Sequence, residues 1–277
     1  SCRFHFTVTA DHEQRFREHI EKDRVPLKQE LGFEIEVEFS NQSPATNTIA
    51  VDLANRPFRQ DDGSLLLRPA GHGALLENLQ LVDADVAIVK NIDNVSHQRL
   101  HGLAIRWKQI LIGYFAELQE TAFSLLTELE ERPASAQAVS DALAFLQSRF
   151  ALRAPQSLVE ADLETQHLFV SRTLARPIRV CGVVENIGEP GGGPFWIADA
   201  DGSRSGQIIE GAQIDAGSTT QTELWNSSTH FNPVDLVCGL KDHRGKPYRL
   251  ADFVDPAKAF VTEKSYQGRS LKALERP

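Results

Sequence analysis

Two short segments carry residue types that suit nucleotide and metal chemistry. The first covers residues 68–73, Arg-Pro-Ala-Gly-His-Gly, and the second covers residues 90–94, Lys-Asn-Ile-Asp-Asn. The glycines of the first segment offer backbone that a flat base or a ribose can approach closely. The second segment holds a carboxylate, Asp93, between amide side chains, which suits a hydrated divalent cation such as Mg²⁺. Together the two segments predict a site for a nucleotide and a metal.

Each motif also has an ordinary structural interpretation. Gly71 and Gly73 flank His72 at the start of a predicted helix, where free N–H groups favour an anion or a base edge. The same pattern is typical of a tight turn with His72 at the surface. Asp93 and its amide neighbours also suit a turn in which side chains bond their own backbone. Gln42 follows a predicted strand, so its amide is able to pair with a base or simply to face solvent. The single motifs leave both interpretations open.

Apolar periodicity places both segments at the ends of predicted strands. Residues 3–9 read as a strand, Asp11 as the cap of a helix, and residues 33–39 as a half-exposed strand. A helix is then predicted over residues 71–81 and a strand over residues 85–90. This β-α-β order predicts a doubly wound sheet, in which ligands bind beyond the carboxyl ends of the strands.

Residues 97–175 have a different, helical pattern. Apolar residues recur at helical spacing, and Pro133 and Pro155 divide the segment into about three helices; the first predicted stripe is Leu103, Trp107, Leu111, Phe115 and Leu118. Strand patterns return after residue 176, whereas no element is predicted for residues 272–277. The prediction is one α/β domain formed by residues 1–96 and 176–277, with a helical insertion at 97–175.

Composition narrows the classes of function. The chain of 277 residues is 41% apolar and 24% charged, and it has no apolar run of about 18 residues, so we expect a globular protein without a membrane span. A net charge of −9 argues against nucleic-acid binding but allows a small phosphorylated ligand. Cys181 and Cys238 lie in apolar surroundings, which predicts core thiols and a reducing, cytoplasmic location. Because the chain starts at Ser1 and has no methionine, we expect it to be part of a longer protein.

Taken in order, these motifs resemble those of the UTP-dependent sugar-1-phosphate uridylyltransferases, the UDP-sugar pyrophosphorylase-like family. Residues 39–44 resemble the base-contacting glutamine loop of that family, residues 68–73 its uridine loop, residues 91–94 its metal and phosphate site, and residues 207–213 its sugar-site strand. Residues 230–232 resemble, more loosely, its Phe-Asn at the sugar. The chain is also similar overall to a bacterial family of uncharacterised proteins that carries the same segments. The glycine-rich loop and the phosphate-binding lysine of the transferases would lie before residue 1 and beyond Pro277.

The resemblance implies a glycosyltransferase-A-like fold, a mixed sheet flanked by helices, with residues 1–96 binding the nucleotide and residues 176–277 the sugar. It implies transfer of UMP from UTP to a sugar-1-phosphate with release of pyrophosphate. The nucleotide-binding residues implied by the resemblance are Gln42, Gly71, His72, Gly73 and Asn91. Asp93 is implied to bind Mg²⁺ and, together with Lys90, to act in catalysis. Glu210 and Asn232 are implied to bind the sugar. The alternatives are a non-catalytic sensor of UDP-sugars and a kinase or ATPase, which would require adenine preference.

Overall fold

Helices and strands follow one another along the chain largely as the periodicity predicts. A computed structural model describes residues 2–92, 95, 97–133, 135–189 and 191–276, without the side chains of Cys2 and Gln98. The α-helices of this part of the chain are α1 (Ala10–Leu31), α2 (Leu76–Gln80), α3 (His101–Glu131), α4 (Ala136–Arg149), α5 (Gln156–Val159), α6 (Leu163–Leu174) and α7 (Thr219–Asn226). None of these helices combines the length and the apolar character that crossing a bilayer requires.

The strands are short, and most are antiparallel. They are β1 (Cys2–Val8), β2 (Ile35–Asn41), β3 (Thr48–Ile49), β4 (Leu67–Arg68), β5 (Val86–Lys90), β6 (Arg179–Cys181), β7 (Val184–Glu185), β8 (Gly193–Ala198), β9 (Arg204–Ile209), β10 (His230–Phe231), β11 (Asp235–Gly239), β12 (Phe260–Tyr266) and β13 (Arg269–Glu275). The parallel pair is β1–β2; the antiparallel sheets are β3–β4, β5–β11–β6, β7–β10, β8–β9 and β12–β13. The structure thus has the predicted mixed α/β class, whereas the described strands pair in twos and threes rather than in one continuous sheet.

The chain divides into two compact units. The first unit contains residues 1–83 and 249–277, and the second contains residues 84–248. Each unit has its own apolar core. The division predicted from the sequence, one α/β domain from 1–96 and 176–277 with a helical insertion at 97–175, stays a prediction.

The core of the first unit depends on the strand that the sequence did not predict. Leu271 and Ala273 of β13 are 0% and 1% exposed and pack with Phe58 and Leu66. The backbones of Val51 and Lys272 exchange hydrogen bonds of 3.0 and 2.8 Å, which ties β13 to the chain after β3. The expectation that residues 272–277 form no element is therefore wrong, since residues 272–275 belong to β13. The period-two pattern is broken because Leu274 lies on the exposed face at 42% exposure and Glu275 lies on the buried face at 6% exposure.

The start of α1 also differs from the prediction. The helix begins at Ala10 with Thr9 at the N-cap position, so Asp11 lies inside the first turn and does not cap it. A carboxylate in the first turn still favours the helix, because it faces the positive end of the helix dipole. Phe16 of α1 contacts Phe6 of β1, with ring centroids 6.2 Å apart.

The core of the second unit lies among α3, α4 and α6. Leu129 and Val170 are fully buried there, together with Val237 of β11. Helices occupy most of residues 101–174, as the spacing predicts. The predicted stripe of α3 is buried only in part: Phe115 and Leu118 are 1% and 2% exposed, whereas Leu103 and Trp107 are 61% and 63% exposed.

The burial of Cys238 can be tested by the reactivity of its thiol. Cys238 is buried, and desolvation raises the pKa of its thiol to about 11, whereas half-buried Cys181 has a pKa raised by the same cause. Because only the thiolate reacts, we expect iodoacetamide at pH 8 to alkylate Cys238 roughly 100-fold more slowly than an ordinary thiol. Peptide mass spectrometry over a time course measures this rate, with the urea-unfolded protein as control. Equal rates in the folded and unfolded protein would contradict the burial of Cys238.

Candidate functional site

In the first unit, two predicted nucleotide-binding segments leave the same end of one strand pair. We call residues 42–47 the glutamine loop and residues 69–73 the glycine loop. The glutamine loop leads into β3 and the glycine loop leaves β4, and in this antiparallel pair Thr48 is the partner of Arg68. The residue before Thr48 and the residue after Arg68 therefore lie side by side, and both loops start from this one rung.

Gln42 is held in place within the glutamine loop. Its Nε2 donates a hydrogen bond of 3.1 Å to Oγ1 of Thr46, which in turn donates one of 2.7 Å to the carbonyl of Ser43. Thr46 is 1% exposed, and Gln42 is half-buried. The buried threonine thus fixes the glutamine amide, leaving its carbonyl oxygen and one further N–H for a ligand.

The glycine loop has a conformation that requires glycine. Gly71 has φ +73° and ψ −161°, a backbone region that residues with a side chain rarely adopt. A 3₁₀ helix then runs from His72 to Leu75, so the predicted helix over 71–81 is found as this turn followed by α2. Gly73 is half-buried, and His72 is exposed.

A residue that the sequence did not single out connects the two loops. Asn78 of α2 is 4% exposed and donates hydrogen bonds of 2.8 Å to Oγ of Ser40 and 2.9 Å to the carbonyl of Asn41. It thereby joins the helix after the glycine loop to the strand end before the glutamine loop. An asparagine in a short helix gives no signal in a single sequence, because its partner lies 37 residues away along the chain.

In the second unit, three predicted site residues meet at one turn, residues 232–235. The Nζ of Lys90 lies 3.0 Å from Oδ2 of Asp235 and donates a hydrogen bond of 3.3 Å to the carbonyl of Pro233. The backbone N–H of Asn91 donates one of 3.4 Å to the carbonyl of Val234. The end of β5 is therefore anchored on this turn.

Asn232 forms the turn itself. Its Nδ2 donates a hydrogen bond of 2.5 Å to the carbonyl of Gly182, and its Oδ1 accepts one of 3.1 Å from the N–H of Val234. Val234 has φ +58°, an unfavourable value for a β-branched residue, which these bonds stabilise. Asn232 is 8% exposed and has a clear structural role in this turn. Its role in the sugar site stays a prediction.

Glu210 follows the β8–β9 ladder. Gly193 is the partner of Ile209, the residue before Glu210, and Gly192 accepts a hydrogen bond of 2.8 Å from the N–H of Asn232. The two predicted sugar residues therefore flank the same glycine pair. Glu210 also starts the 3₁₀ helix Gly211–Gln213 through a capping box with Gln213.

Lys108 and Asp235 are the charged residues that the sequence reasoning missed. Lys108 of α3 places its Nζ 3.3 Å from Oδ1 of Asp235, so one carboxylate lies between two ammonium groups. The side chains of Asp235, Lys90 and Lys108 are 22%, 25% and 38% exposed. The cluster carries one net positive charge beside Asn91, which favours an anion such as phosphate over a cation.

The predicted metal ligand Asp93 lies outside the described residues, as does Asn94. Among the residues that are described, no group of three or more His, Cys, Asp and Glu side chains is arranged to hold a metal. Asp235 is an unsuitable metal ligand, because a divalent cation would have to displace at least one ammonium group. Asp93 thus remains the carboxylate to which the prediction of Mg²⁺ applies.

A family model and a distantly similar solved structure match the chain. A crystal structure of a UDP-glucose pyrophosphorylase mutant from Leishmania major, in complex with UDP-glucose, aligns with a TM-score of 0.43 and 12% sequence identity. The alignment covers 99% of this chain and 48% of that enzyme, so the chain spans about half the length of the protein it matches. No curated protein sequence matches the chain. The family described as "Domain of unknown function (DUF4301)" matches residues 1–277, and the chain therefore belongs to that family.

Proposed function

We propose that the protein is a nucleotidyltransferase that transfers UMP from UTP to a sugar-1-phosphate, on a glycosyltransferase-A-like fold. The observation that carries the proposal is the common origin of the glutamine loop and the glycine loop at the Thr48–Arg68 rung. One loop holds a fixed primary amide, and the other exposes glycine backbone. This pairing of a hydrogen-bonding amide with closely approachable backbone suits a flat heterocycle.

Uracil has an edge that is complementary to the amide of Gln42. It presents an N–H donor between two carbonyl acceptors, and a primary amide offers a complementary acceptor and donor. Since Thr46 holds Nε2 of Gln42, the amide is oriented before the base binds. Gly71, His72 and Gly73 would then contact the base and ribose through the glycine loop.

Lys90 and Asn91 are proposed to act on the phosphates. The carbonyl of Pro233 and the carboxylate of Asp235 fix the ammonium group of Lys90, and its charge would offset the charge of the triphosphate. Asp93 would hold Mg²⁺ through its carboxylate, the type of ligand that this ion prefers in proteins. When bound, the ion supplies charge neutralisation at the phosphates.

The reaction needs alignment and charge neutralisation, but no covalent intermediate on the protein. A phosphate oxygen of the sugar-1-phosphate attacks the α-phosphorus of UTP and forms the new P–O bond. The bond between the α-phosphorus and the bridging oxygen breaks in line, and the electron pair leaves with pyrophosphate. Glu210 and Asn232 would orient the sugar through its hydroxyl groups. Within the described side chains, Cys181 and Cys238 are free thiols, and a cytoplasmic setting is part of this proposal.

The proposal is tested by pyrophosphate release from the full-length protein. Each of the four nucleoside triphosphates is combined with Mg²⁺ and a panel of sugar-1-phosphates. UTP-selective release is the expected result. Binding of UDP-sugars without release would favour the sensor, and neither binding nor release would refute the uridine site.

Base selectivity should depend on Thr46. Thr46→Val removes the hydroxyl that orients Gln42, so we expect the preference for UMP over CMP to fall by about 5- to 10-fold, the value of one hydrogen bond. Thr46→Ser keeps the hydroxyl and serves as the matched control. Isothermal titration calorimetry gives the dissociation constants of both nucleotides for each variant. The same preference in the valine and serine variants would show that Thr46 does not orient the amide.

A further inference from the structure

Glu275 is a carboxylate on the buried face of a strand. It follows Leu271 and Ala273 on the inward side of β13, and it is 6% exposed. A charge in this position is stable only when it is paired and hydrogen-bonded. The partners come from the neighbouring strand β12: Oγ1 of Thr262 donates a hydrogen bond of 2.9 Å to Oε1, and the ammonium group of Lys264 forms an ion pair with the same oxygen.

The second carboxylate oxygen lies against the glycine loop. A Cβ atom added at Gly71 would be only 1.9 Å from Oε2 of Glu275. The absence of a side chain at Gly71 therefore allows the carboxylate to reach the loop backbone, in addition to allowing the positive φ. Since Oε1 is held by β12, the position of Oε2 beside the loop is fixed.

The same end of β13 contacts the glycine loop and Thr48, the first residue after the glutamine loop. The backbone N–H of Arg276 donates a hydrogen bond of 2.8 Å to the carbonyl of Ala70, next to Gly71. Oγ1 of Thr48, directly after the glutamine loop, donates one of 3.0 Å to the carbonyl of Leu274. Residues 274–276 are thus hydrogen-bonded next to the Thr48–Arg68 pair, from which both loops start.

We propose that Glu275 is a positioning residue that holds the glycine loop in the conformation required to bind a uridine nucleotide. The carboxylate does not contact the nucleotide; it acts through Gly71. This inference rests on the proposed function for the ligand, but its structural part concerns the loop alone. A residue that served only the stability of the β12–β13 hairpin would leave the loop unchanged while the protein stays folded.

Hydrogen–deuterium exchange of the full-length protein tests the inference without any ligand. Glu275→Gln keeps the shape of the side chain and removes the charge that pairs with Lys264. We expect amide exchange over residues 71–75 to accelerate by about tenfold or more, and by a larger factor than any change in β12 and β13, which lose only the ion pair with Lys264. The matched control is Glu263→Gln, an exposed carboxylate of the same hairpin, which should change neither.

Binding of UMP gives the second measurement. Wild type and Glu263→Gln should bind alike, and Glu275→Gln should bind about 5- to 20-fold more weakly, because part of the binding energy then orders the loop. Unchanged loop exchange in folded Glu275→Gln would overturn the positioning role. A third outcome is that the loop exchanges faster in Glu275→Gln while the wild type binds no UMP. That outcome would refute the uridine proposal but support the role of Glu275 in positioning the loop.

A variant with a smaller change covers the case in which Glu275→Gln does not fold. Thr262→Val removes one hydrogen bond to Oε1 and leaves the carboxylate and Lys264 in place. It should raise exchange over residues 71–75 by about 2- to 5-fold, in line with the modest value of one hydrogen bond. Faster exchange confined to the β12–β13 hairpin would overturn the inference.

Discussion

Replacing Asp93 with asparagine should lower the rate of pyrophosphate release from UTP by at least about two orders of magnitude in the full-length protein. A metal-held charge at a transferring phosphate is worth several kcal/mol, and each 1.36 kcal/mol is about tenfold in rate. Asparagine keeps the size of the side chain and removes the charge that holds the ion. The measurement is steady-state release at several Mg²⁺ concentrations, because a weakened metal site should recover in part at high Mg²⁺.

Asp85 provides a matched carboxylate for this experiment. It directly precedes β5, at the opposite end of the strand from Asn91, and its Oδ1 lies 2.9 Å from Nζ of Lys241. The Asp85 side chain is 83% exposed, so Asp85→Asn removes only a surface ion pair and should change the rate by less than about twofold. A normal rate in Asp93→Asn would show that Asp93 does not hold the metal.

Local patterns in the sequence were sufficient to place the strand before Asp93. The apolar run 86–89 ends in Lys90 and Asn91, and the prediction of a strand over 85–90 agrees with β5 to within one residue. A short run of β-branched residues followed by a polar turn depends little on the rest of the chain. The position of Gly71 before a helical turn was predictable for the same reason, because its φ of +73° is a local requirement.

Long-range partners were not predictable from one sequence. The ammonium group of Lys90 is held by Asp235, which lies 145 residues away along the chain. The two residues come together only because β5 pairs with β11. Glu275 is a sharper case, because a glutamate is rarely found on the buried face of a strand. Its burial follows from the pairing of β12 with β13, which supplies Thr262 and Lys264. Neither contact leaves a periodic signal in the sequence.

Periodicity predicted which side of α3 is apolar, but it did not predict how much of that side other elements cover. Phe115 and Leu118 contribute to the core with α4 and α6, whereas Leu103 and Trp107 on the same predicted stripe stay largely exposed. Helical spacing identifies residues on one side of a helix, but burial requires a partner element opposite each turn. A stability measurement on two residues of this stripe can distinguish the two halves of the helix.

Phe115→Ala should therefore lower the free energy of unfolding by about 3–5 kcal/mol, the usual cost of removing a buried aromatic ring. The ring lies against β11, since a Cβ atom added at Gly239 would be 3.2 Å from Cζ of Phe115, and it is 1% exposed. Leu103→Ala is the control on the same helix and should cost less than about 0.5 kcal/mol, because its side chain is already 61% exposed. Urea unfolding followed by circular dichroism measures both differences. Similar losses for the two variants would mean that the N-terminal half of α3 is covered as firmly as the half that packs on α4 and α6.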